Sequence, residues 1–213
     1  MDKEGKTCLP VVTRIECPKA DWIRVVNAAR RTWGKKPIDH EPSDKFKRKI
    51  LLAEHSPIRL LEYDFTIENI RQWVTVHLTR HHEGCEKFVH TQRGDRRAIL
   101  DEYNVSSRNE LPQGATNDMD MTANAQALIS ISRKRLCNCA SKETREAWKQ
   151  VQDAIREVDP VMADKMVPEC IYRGFCPEFM NPCGYANTEK YQQDLKRYRS
   201  TDYDESGHLI NNN

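Results

Sequence analysis

The chain has no run approaching the roughly 20 apolar residues of a membrane-spanning helix, and Met1 to Thr7 is charged with no apolar stretch behind it. Both absences argue against a membrane or secreted protein, so the chain is expected in the cytoplasm. Charge of one sign is not in excess either, since 34 Lys and Arg stand against 32 Asp and Glu for a net +2. Aromatic residues are not interleaved with the basic ones, which together with the low net charge argues against nucleic-acid binding. No internal repeat and no low-complexity block is present. Eight cysteines occur, but without a paired C-x-x-C knuckle. A chain of this length buries a core without staples, so they read as thiols.

What is present is local clustering. Basic residues gather at Arg30 and Arg31, Lys45 to Lys49, Arg80 to His82, Arg93 to Arg97 and Arg133 to Arg135, with acidic residues spread between them. Local positive fields of this kind suit phosphate-bearing ligands. Solvated helix faces would produce the same pattern.

Periodicity divides the chain. Leu9 to Arg14 reads as a short strand. Asp21 to Arg31 reads as a helix with Trp22, Val25, Val26 and Ala29 on one side, ended by Gly34. Lys45 to Glu54 resumes a helix, which Ser56 and Pro57 stop. Leu61, Tyr63, Phe65 and Ile67 then alternate with Glu62, Asp64 and Thr66, as a half-buried strand requires. Ile70, Trp73, Val74, His77 and Leu78 restore the helical period and deliver Arg80, His81 and His82 at the helix end. Gln113 to Asp120 is low in hydrophobicity and is expected to be irregular. A long helix is expected from about Thr122, carrying Asn124, Leu128, Ile131 and Arg135 on one stripe. Trp148 to Val158 forms another amphipathic helix, closed by Pro160. Residues beyond Tyr185 are polar and read as a docked or frayed tail, giving a main domain over 1–185 and a tail over 186–213.

Metal binding has one candidate. Cys170, Cys176 and Cys183 lie in a Pro- and Gly-broken segment where three sulfurs could converge, with Cys85, His90 or His208 as a fourth ligand. The missing knuckle and the need for four ligands favour thiols and no metal. Cys137 and Cys139, two apart on a helix, read as buried thiols.

Several segments together resemble a known family. His55-Ser56-Pro57, the strand Tyr63 to Ile67 and a helix ending in Arg80-His81-His82 follow the order of the flavin-dependent thymidylate synthases (ThyX), with their fingerprint RHRxxSxNExSxRY. Within it His82 replaces the second Arg and Cys85 the first Ser, and Thr91-Gln92-Arg93 resembles the S-x-R close after a one-residue insertion. The N-E pair falls on Lys87-Phe88 or Glu86-Lys87, and Gly94 replaces the final Tyr. Arg108-Asn109-Glu110-Leu111-Pro112 resembles the R-x-x-L-P step, and Asn124 to Leu128 the N-A-R-S-L step. Arg135 resembles the helix arginine, and Ala140 to Arg145 the A-Q-W-E-I-R run.

The resemblance implies an α+β fold, a small antiparallel sheet packed with long helices, with a shortened middle helical region between Arg93 and Arg108. It implies reductive methylation of dUMP with methylenetetrahydrofolate, FAD as hydride carrier and NADPH as reductant, in a homotetramer. The implied alternatives are another C5 modification of a pyrimidine nucleotide, such as hydroxymethylation, and a non-catalytic nucleotide-binding protein. It places Arg80, His81, His82, Asn124 and Ser130 at the flavin. His77, which stands where the family has glutamine, Thr91, Gln92, Arg93, Arg108 and Arg135 fall at the nucleotide, with Arg135 and His81 catalytic. Planar, always-charged guanidiniums suit phosphate and the carbonyl edge of a pyrimidine. Read without the resemblance, His77 could be a core histidine, Arg135 a salt-bridge partner, and Arg80 to His82 a cationic helix end favoured by the dipole.

Overall fold

Tyr63, Phe65 and Ile67 are buried to 1% exposure or less, because they line the inner face of the central strand. The computed structural model describes residues 11–16, 21–93, 95 and 98–200. In chain order its elements are β1 (Val11–Glu16), α1 (Trp22–Thr32), α2 (Asp44–Leu52), β2 (Glu62–Arg71), α3 (Gln72–Thr79), β3 (Cys85–Val89), α4 (Ala98–Glu102), β4 (Thr116–Asn124), α5 (Ala125–Arg135), α6 (Lys142–Val158), α7 (Pro160–Ala163), α8 (Glu169–Arg173) and α9 (Glu189–Arg199). The strands form one antiparallel sheet in the order β1-β2-β4-β3, with helices packed on it, so the fold is α+β. Between Arg93 and Arg108 the described residues hold only the five-residue α4. No described helix is long and apolar enough to cross a membrane.

Four expectations change. The stretch 113–120, expected to be irregular, contains the start of β4, which pairs with both β2 and β3. Its low hydrophobicity is an alternation: Asn117, Met119, Met121 and Ala123 face inward between more exposed Asp and Thr residues. Ile70 belongs to β2, which continues past a register shift where Asn69 takes φ 58°. The helix expected from Thr122 begins at Ala125, and Asn124 is its N-cap, accepting from the Ala127 N–H at 2.9 Å. Pro160 does not simply close α6 but opens α7, the position where its missing N–H is harmless.

The core is anchored by two polar devices. Trp148, fully buried, meets Phe65 edge-on at 6.2 Å and donates from Nε1 to Ser132 Oγ at 2.8 Å. Buried Asp159 accepts from Trp22 Nε1 at 3.0 Å, Tyr63 Oη at 2.9 Å and the Met162 N–H at 3.0 Å. It therefore joins α1, β2 and α7 while capping the last. A second, smaller cluster is built from Cys170, Ile171, Tyr191 and Tyr198, so the polar stretch beyond 185 contains a helix that buries its tyrosines.

Candidate functional site

Sheet pairing and the end of α3 bring the first group of candidates together. β4 runs into α5, whose last residue is Arg135. Its Nε–H donates to His81 Nε2 at 3.0 Å, and Nη2 donates to the His77 carbonyl at 2.6 Å. Arg135 has no carboxylate partner among the described residues. Burial and then the Arg80 charge lower its pKa, so the cation sits half-buried and uncompensated. His81 is held neutral for the same reasons. Burial is the largest cause, followed by Arg135, Lys87, His82 and Lys134, and its pKa falls to about 4. With Nε2 accepting from Arg135, the His81 proton sits on Nδ1. The His81 carbonyl accepts from Lys87 Nζ and from Cys85 Sγ at 3.4 Å, which fixes the turn leading into β3.

His77 is also tied down. Its Nδ1 lies 3.0 Å from Thr144 Oγ1, which accepts from Ser141 Oγ at 2.8 Å, and its ring stands edge-on to Trp73 at 5.5 Å. Burial, then Arg135 and Arg80, lower its pKa. Asn124 lies over Gly84, where a Cβ would come within 2.6 Å of the carboxamide, and its N–H donates to the Gly84 carbonyl at 2.9 Å. Gly84 takes φ +70°, so only glycine suits this close approach. Arg80 and His82 are exposed around the same turn, and Ser130 is exposed on α5.

The second group lies elsewhere in the chain. Cys85 pairs with Ala123 and Val89 with Met119, and Thr91, Gln92 and Arg93 follow β3 beyond Val89, past the end opposite to Cys85. Arg93 is spoken for by Asp95, with Nε and Nη2 donating to its two oxygens at 3.0 and 3.2 Å. The Arg93 N–H donates to Thr91 Oγ1 at 3.3 Å, and Gln92 Nε2 is buried without a partner. Arg108 is exposed at a short 3-10 turn whose Ser107 hydroxyl accepts from the Asn109 N–H at 3.2 Å.

Two features escape a reading by resemblance. Thr144 is fully buried on the apolar stripe of α6 with Ala147, Trp148, Val151 and Ile155. A hydroxyl at such a position is the sequence signal that could have found it. Beside Arg135, Arg133 and Lys134 turn to Glu169 at 2.8 and 3.2 Å, which holds that carboxyl down to about 2 against the effect of its burial. A cleft of about 1530 Å³ runs from Arg135 past Arg145 and α8. Cys137, Cys139, Cys170, Cys176 and Cys183 all line it, and burial raises the Cys170 thiol to about 11. Among the described residues no three His, Cys, Asp or Glu are arranged to hold a metal, and His208 lies outside them.

Comparison with known proteins points one way. The family described as thymidylate synthase complementing protein matches residues 100–161. A stretch of 94 residues is 33% identical to the flavin-dependent thymidylate synthase of Pyrococcus abyssi, covering 41% of this chain and only 38% of that relative. Among solved structures, ThyX of Helicobacter pylori, described with FAD and dUMP, superposes with a TM-score of 0.59 at 17% identity, over 74% of this chain and 98% of that one. A UMP/dUMP methylase, PolB of Streptomyces cacaoi bound with 5-Br dUMP, gives 0.53 at 16% identity, over 78% and 94%.

Proposed function

We propose that this chain is a ThyX-type flavin-dependent enzyme acting at C5 of dUMP, methylating it with methylenetetrahydrofolate as one-carbon donor and NADPH as reductant. The family match over residues 100–161 and the superposition on ThyX support this reading. The observation that carries this reading is Arg135. A half-buried guanidinium without a carboxylate partner, oriented by His81 Nε2 and the His77 carbonyl, keeps further N–H donors for a ligand. Such a group favours an anionic ligand, or negative charge developing on a pyrimidine carbonyl as C5 is activated. His81, neutral near pH 7, orients Arg135 without adding a competing charge.

The residues present fit a phosphate-bearing flavin. Arg80 and His82 are exposed beside the site, and Asn124 keeps Nδ2 without a partner among the described residues once Oδ1 has capped α5. Together with His81 and Ser130 they would hold FAD, which when bound supplies hydride transfer between nicotinamide and the one-carbon unit. Thr91, Gln92, Arg93 and Arg108 would bind the nucleotide phosphate. Thr91 to Arg93 follow the end of β3 opposite to Cys85, and a complete site is proposed to join two copies in a homo-oligomer. Arg93 is held by Asp95 in an exposed pair, which a nucleotide phosphate would have to displace.

The test is optical. Purified protein should be yellow, with a flavin spectrum that changes on addition of dUMP. Colourless protein that takes up no added FAD would sink the enzyme reading and leave a non-catalytic nucleotide-binding protein.

A further inference from the structure

We infer that Thr144 is a positioning residue whose hydroxyl, held by Ser141, sets His77 with its proton on Nε2 and so aims an Nε2–H donor at an acceptor oxygen of the nucleotide. The inference rests on the nucleotide-site reading above. A fully buried hydroxyl on the apolar stripe of a helix is costly unless it is hydrogen-bonded. Thr144 has two partners, Ser141 Oγ at 2.8 Å and His77 Nδ1 at 3.0 Å. A threonine hydroxyl has one proton to give. In the inferred order Ser141 donates to Thr144 Oγ1 and the Thr144 proton goes to His77 Nδ1, which is then the bare ring nitrogen.

The charges around the ring agree with this assignment. Arg135 and Arg80 both face His77, and with burial they disfavour the imidazolium. A neutral ring with a bare Nδ1 carries its proton on Nε2, and Nε2 has no partner among the described residues. The ring is further held by the edge of Trp73, and the His77 carbonyl receives Arg135 Nη2 at 2.6 Å. Residue 77 therefore couples two donors, its own Nε2–H and the Arg135 fork.

Histidine-selective 15N NMR of the full chain near pH 7, with H77Q identifying the signal, should show His77 as the Nε2–H tautomer. T144V should shift it towards Nδ1–H, and T144S should leave it unchanged. An Nδ1–H form in the parent, or no change in T144V, overturns the inference. In calorimetric titration with dUMP, T144V should weaken binding about tenfold and T144S hardly at all. In an H77Q background T144V should have no further effect; an equal loss in both backgrounds would mark Thr144 as merely structural and overturn the inference. If the parent binds no dUMP, the nucleotide reading fails, while the tautomer measurement still decides the role of Thr144.

Discussion

Three consecutive cations end α5, and their neighbours divide them. Arg133 and Lys134 are absorbed by Glu169, whereas Arg135 meets only a histidine nitrogen and a carbonyl. A surface ion pair would make Arg135 dispensable; an uncompensated, oriented guanidinium makes it the most consequential residue of the site. R135A is expected to lower turnover on dUMP by about 10²-fold or more. R135K should recover little, because one ammonium cannot reproduce the fork held between His81 Nε2 and the His77 carbonyl. Thermal unfolding of R135A should be little changed, since removing the charge also removes its repulsion with Arg80 and offsets the lost hydrogen bonds. Activity retained in R135A would overturn the assignment. Equal loss of activity and stability would make the residue structural.

At the scale of elements, α9 shows how a polar segment is held. Its tyrosines enter the smaller cluster: Tyr191 Oη donates to the Cys170 carbonyl at 3.3 Å, and Lys165 Nζ donates to the Tyr198 carbonyl at 2.6 Å while lying 4.8 Å from that ring. Lys165 is 2% exposed, and its pKa is lowered to about 8 by burial first and then by Arg48. A folded-state pKa below the ordinary lysine value means that the unfolded chain binds this proton more tightly. Stability should therefore rise as pH increases from about 8 towards the unfolded value near 10.5, and the contribution is lost again on going down through 8. Urea titrations at several pH values across this window should show that slope in the parent chain and a reduced one in K165M. An identical slope in both would contradict the assignment.

At the scale of the molecule, Arg135 meets His81 just before β3, whereas Thr91 to Arg93 follow the other end of that strand and Arg108 lies on a separate turn. Sedimentation at micromolar concentration should therefore show an oligomer. If two copies complete each site, R135A and R108A should each be nearly inactive alone, yet mixing them under conditions of subunit exchange should restore a fraction of the activity. A monomer, or a mixture as inactive as its components, would contradict a shared site.

The sequence by itself determined the helices with a clear apolar stripe, the alternating strand from Leu61 to Ile67, and the residue types of the site. These follow from local periodicity and from what arginine, histidine and amide groups can do. It did not reveal β4, because Met119, Met121 and Ala123 alternate with Asp and Thr in a stretch whose average is polar. Nor did it reveal α9, whose charged surface hides two buried tyrosines. Only the tertiary structure decided which of Arg133, Lys134 and Arg135 stays uncompensated, and that Thr144 stands behind His77 across 67 residues of chain. Hydrogen-bond and charge partners are set by which elements pack together, and spacing along the chain carries no record of that.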